Sequence, residues 1–90
     1  MPKVEEMIKN ISLPIALPEG AFILFGKQRR IPDFDLIIKQ LPLEVREQLD
    51  PNATASSGGT GAYLLPLIEG NFLKMRVENY QIVELAVVEY

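Results

Sequence analysis

The side chains able to do chemistry in this chain are carboxylates, hydroxyls and a few cations, because it contains neither histidine nor cysteine. Their absence removes the usual general base near neutral pH, the thiolate nucleophile and the commonest transition-metal ligands together. A carboxylate pair, a Ser–Lys arrangement and an all-oxygen metal site are what remain. Asp33 and Asp35 are close in sequence, but side chains two apart at a helix start diverge and do not share a proton or an ion. Placed just ahead of an apolar helical face, they read as complements of the helix dipole. Glu44 and Glu47 stand at i, i+3 and read as the wet side of an amphipathic helix. No catalytic residue, metal ligand or cofactor is expected, and the protein is expected not to be an enzyme.

Three surfaces remain as candidates for contact. The stretch Ser56-Ser57-Gly58-Gly59-Thr60-Gly61 has the small residues of a phosphate-binding loop. It lacks the Lys-Ser/Thr that must follow the last glycine, and it leads into Ala62-Tyr63-Leu64-Leu65-Pro66, which reads as strand. It is expected to be a mobile loop, with ordering on a partner as its functional reading. The only concentrated charge is Lys27-Gln28-Arg29-Arg30, read as a connector between a strand and a helix. Lys27, Arg29 and Arg30 are the candidate anion or nucleic-acid contacts, helped by a helix N-terminus near Pro32. The third surface is the C-terminal segment, where Tyr80, Ile82, Val83, Leu85, Val87 and Tyr90 make a strand with no polar tail. Such a strand either completes the core or pairs with a second subunit.

The elements that must carry these residues follow from periodicity. Val4, Met7, Ile8 and Ile11 mark a short amphipathic helix that ends before Leu13-Pro14. The apolar runs Leu13–Leu17 and Ala21–Phe25 flank the turn Pro18-Glu19-Gly20 and read as strands, the second of them central because both its faces are apolar. Residues 32–49 read as two short helices meeting at Pro42, with Phe34, Ile37, Ile38 and Leu41 on one face and Val45 and Leu49 continuing it. Residues 52–62 form the low-complexity loop. Strands are expected over 63–68, 72–78 and 80–90. Alternation of Leu73, Met75 and Val77 with Lys74, Arg76 and Glu78 gives the middle one a dry and a wet face.

One α+β domain over residues 1–90 is expected: a small mixed, mostly antiparallel sheet of four to five strands, with two or three short helices on one face. The 48% apolar content is high for a chain of 90 residues, and suggests apolar surface buried against a partner. No apolar run approaches the ~20 residues of a membrane helix, and absence of cysteine suits a reducing compartment. The expected location is therefore cytoplasmic. A net charge of −3 disfavours gripping nucleic acid as the main task. The segment Leu41-Pro42-Leu43-Glu44-Val45-Arg46-Glu47-Gln48-Leu49 resembles a motif of swapped-hairpin DNA-binding proteins of the AbrB/MazE type. The likeness covers nine residues, and the flanks depart from that pattern: a helix reading precedes it and the Ser/Gly loop follows. The leading expectation is a non-catalytic interaction or assembly subunit, partnered by itself or another protein. The alternative is a small nucleic-acid-binding regulator that uses the basic 27–30 connector.

Overall fold

A computed structural model describes residues 3–26, 29–57 and 61–89. Its first element, α1 (Val4–Lys9), buries Val4 and Met7 and is closed by the Asn10 backbone N–H on the carbonyls of Ile8 and Met7. Two short strands follow, β1 (Ile15–Ala16) and β2 (Phe22–Phe25), then β3 (Arg29–Pro32). Helix α2 (Phe34–Ile38) starts where Asp33 accepts a hydrogen bond from the Leu36 N–H at 3.2 Å, a side-chain cap that satisfies one of the orphan donors of the first turn. Pro42 introduces α3 (Leu43–Arg46), and the Arg46 guanidinium donates from Nε back to the Leu41 carbonyl at 3.0 Å, fixing the corner between the helices. Strands β4 (Ser56–Ser57), β5 (Ala62–Pro66), β6 (Phe72–Glu78) and β7 (Gln81–Val88) complete the chain.

The main sheet has the order β1-β7-β6-β5-β4, and all of its pairings are antiparallel. This is the small α+β architecture expected from the periodicity. The register sets Tyr63, Met75 and Leu85 in one cross-strand row and Leu65, Leu73 and Val87 in the next. These rows face the core, where Leu73, Met75 and Ile82 are completely buried together with Ile37 and Val45 from the helices. The opposite face carries Lys74, Arg76, Glu78 and Glu84, with Lys74–Glu84 at 3.7 Å and Arg76–Glu78 at 3.9 Å. Such exposed ion pairs add little stability. A bulge between Arg76 and Val77 shifts the register and lets Val77 N–H donate to the Gly61 carbonyl at 2.8 Å.

The N-terminal half departs from the sequence reading. The Pro18–Gly20 turn forms, with Ala21 N–H donating to the Pro18 carbonyl, but the strands on either side of it do not pair with each other. Strand β1 pairs with the start of β7, while β2 pairs with β3 in a separate two-stranded sheet. Residues 22–25 are therefore not a central strand. Apolar residues on both faces of a strand are compatible with double burial, yet here Ile23 and Leu24, on opposite faces, are both exposed. Arg29 and Arg30 belong to β3, not to a connector. Lys27 and Gln28 lie outside the described residues.

Gly61 has φ +71, and a Cβ there would lie 2.9 Å from the Val77 carbonyl oxygen. Gly26 has φ +73 with nothing near its missing Cβ. Both positions penalise alanine through the backbone, but only Gly61 adds a clash with rigid main chain. Gly61→Ala is expected to cost about 2–3 kcal/mol and Gly26→Ala about 1 kcal/mol, read from urea denaturation midpoints at equal slope. Equal losses would show that the approach of Gly61 to β6 carries no energetic weight.

Candidate functional site

The β2–β3 hairpin is an arm. Its root is fixed: Ala21 is completely buried, and the Asp33 N–H donates to the Ala21 carbonyl at 2.8 Å. The Phe22 side chain packs against the core cluster. Beyond that root no element of the main sheet pairs with either strand. Ile23, Leu24 and Ile31 are 54%, 68% and 41% exposed, and cross-strand pairing sets Ile23 opposite Ile31 on one face, with Leu24 on the other. An isolated two-stranded ribbon is marginal in water. Three large aliphatic side chains exposed on both faces of such a ribbon form a surface that association would cover.

The arm also concentrates charge. Residues 21–32 hold Lys27, Arg29 and Arg30 and no acid, a formal charge of +3. The rest of the chain then has 9 − 3 = 6 basic residues against 12 acidic ones, a formal −6. The helix N-terminus beside the arm does not serve as an anion site, because the Asp33 carboxylate already occupies it.

At the arm's root lies an open cleft of about 470 Å³ lined by Phe22, Tyr63, Val77, Asn79 and Tyr80. The β6–β7 turn shapes it. Asn79 and Tyr80 have φ of +52 and +60, the left-handed pair that a tight hairpin requires and that a tyrosine adopts only under strain. The strain places the Tyr80 ring edge-on to Phe22, with centroids 5.8 Å apart. Tyr63 in turn meets Phe34 edge-on at 5.3 Å. Burial pushes the Tyr63 phenol above its ordinary titration range. Sequence reasoning did not place the tyrosines beside the basic stretch. In the structure Tyr80 meets Phe22 at the arm's root, and the backbone of Arg30 lies opposite Leu24, two residues further along the same arm.

The other candidates are redistributed. Ser56 and Ser57 form β4, opposite Leu64 and Tyr63, so this part of the expected loop is an edge strand. Gly61 sits against β6, and Gly58, Gly59 and Thr60 lie outside the described residues. In the terminal strand Ile82 is completely buried and pairs with Ile15, so it is sealed from any partner. Leu85 and Val87 pack toward the core, Val83 is half-buried, Tyr80 belongs to the turn, and Tyr90 lies outside the described residues. Beyond Ile82 no strand covers the outer edge of β7 among the described residues. Asp35 reaches the rim of a 190 Å³ hollow shared with Asp50, but Asp33, Glu44 and Glu47 do not line it. The Asp50 carboxylate accepts the Asn52 N–H at 2.9 Å. Among the described residues no group of three acids is placed to hold a metal ion, and no helix is long and apolar enough to cross a membrane. Comparison with protein families, curated proteins and solved structures finds no match to this chain.

Because the Tyr63 phenol is raised in the folded state, unfolding releases its proton more easily. Its contribution to stability is full below the ordinary tyrosine value near 10 and is lost as pH rises through the higher folded value. Ultraviolet titration should show one tyrosine ionising last, and Tyr63→Phe should remove that step and flatten the alkaline loss of stability. A tyrosine titration unchanged by the substitution would contradict the burial of this ring.

Proposed function

We propose that this protein acts by contact, as a non-catalytic subunit that assembles with further copies of itself. The observation that carries this reading is the arm. Ile23, Leu24 and Ile31 stand exposed on a ribbon that, among the described residues, no strand of the main sheet pairs with, and apolar surface of this kind is stabilised by transfer out of water on association. The arm is cationic and the remainder acidic, which favours attraction between unlike parts of two copies. Light scattering coupled to gel filtration should give more than one chain per particle. The triple variant Ile23→Lys, Leu24→Lys, Ile31→Lys should give one chain per particle with the core intact. A wild-type monomer at tens of micromolar would overturn the proposal.

A second reading has one specific observation in its favour. The aromatic cleft of Phe22, Tyr63 and Tyr80 adjoins the strand that carries Arg29 and Arg30, and stacking beside cations is how single-stranded nucleic acid is held without sequence preference. On this reading a labelled oligothymidylate binds at low salt, with loss of about tenfold or more in affinity on Arg29→Glu with Arg30→Glu. Binding that ignores both charge reversals removes it.

A further inference from the structure

The two edges of the main sheet are treated differently. On the β5 side, β4 pairs with Tyr63 and Leu64, Pro66 offers no N–H, and residues 48–50 lie against the remaining length. There Asp50 N–H donates to the Pro66 carbonyl at 2.9 Å, Ile68 N–H donates to the Gln48 carbonyl at 2.9 Å, and Leu49 bridges Leu67. On the β7 side, β1 covers Gln81 and Ile82 alone. The outer edge from Val83 to Val88 has no pairing strand among the described residues. Open edges of this length recruit another strand unless something blocks them.

The same edge borders a groove. Helix α1 lies beside β7, and between them Glu5, Ile8, Lys9, Leu85, Ala86 and Val87 line a hollow of about 350 Å³. Its floor is aliphatic. Glu5 and Lys9 stand on its wall, and Glu84, on the opposite face of β7, is drawn to Lys74 at 3.7 Å. The arm offers what this place lacks: an extended backbone with outer edges free of the main sheet, exposed aliphatic side chains, and three cations with no acid.

We infer that the arm of one copy lies along the Val83–Val88 edge of a second copy, seated beside α1, and that the exchange is reciprocal about a twofold axis. Backbone hydrogen bonds along β7 supply the pairing, and Leu24 or the Ile23–Ile31 pair enters the aliphatic groove. The arm, with a formal charge of +3, then meets a body of formal charge −6, which favours the body of this same chain as the partner. Reciprocity closes the assembly, since each arm used by one copy is matched by an edge used on the other. This inference rests on the self-assembly reading and names the surfaces that perform it.

The absence of cysteine makes the test clean. Leu24→Cys is made on one preparation and Glu84→Cys, Ala86→Cys or Val88→Cys on another, and each pair is mixed and treated with a short bis-maleimide. Leu43→Cys, on the exposed face of α3, is the control partner for Leu24→Cys. The expected result is a covalent dimer in at least one β7 pairing at about ten times or more the control yield. Docking raises the local thiol concentration toward millimolar against micromolar chains. The yield should fall with added salt and with Arg29→Glu plus Arg30→Glu. Wild-type oligomers by light scattering, with β7 cross-links no stronger than the control, would overturn this docking site and leave self-assembly standing. A wild-type monomer would overturn both. A Leu24→Cys, Ala86→Cys double variant that cross-links only within one chain would also overturn the exchange, by showing the arm folded on its own edge.

Discussion

Burial of one face of the β5–β6–β7 meander is the constraint on which the rest of the molecule depends. None of the helices can stand alone: α1 has six residues, α2 five and α3 four, well below the length at which an isolated helix persists in water. They exist because Val4, Met7, Ile37, Leu41 and Val45 have a common apolar floor in Leu65, Leu73, Met75 and Ile82. The register of β6 supplies that floor. A slip of one residue would turn Lys74 and Arg76 inward and Leu73 and Met75 outward, and every helix would lose its packing surface together.

This core fills the main body and leaves the arm outside it. Ala21 and Phe22 belong to the body, and by Ile23 the chain has already emerged. The strained Asn79-Tyr80 turn props an aromatic ring against Phe22 just where the arm leaves. The arm's direction is thus set by packing at its root, and its length, among the described residues, is held by cross-strand pairing.

Much of the core and its layers was legible in the sequence. The alternation at Leu73, Met75 and Val77, the i, i+3, i+4 spacing at Phe34, Ile37 and Ile38, and the stop at Pro42 each fix a local period, and local periods survive folding. The pairing of β2 was not legible. Ala21–Phe25 is apolar on both faces, which a central strand and an uncovered arm share. The segment Phe25-Gly26-Lys27-Gln28-Arg29-Arg30-Ile31 held the available signal, since glycine between strand-compatible flanks permits a hairpin. Charge on Arg29 and Arg30 masked it by resembling a solvated connector.

The sequence by itself determined which chemistry the chain lacks the groups for, the periods of its elements and the class of its fold, because these depend on residue types and short spacings. Only the tertiary structure decided which of its apolar surfaces are buried and which are exposed. Ile82, a candidate contact by its apolar neighbourhood, is sealed beneath Ile15, whereas Ile31, unremarked in its basic stretch, stands in solvent opposite Ile23. Exposure is a property of pairings between residues far apart in the chain. No window of sequence contains both partners, so the arm and the open edge of β7 became visible only once the sheet was assembled.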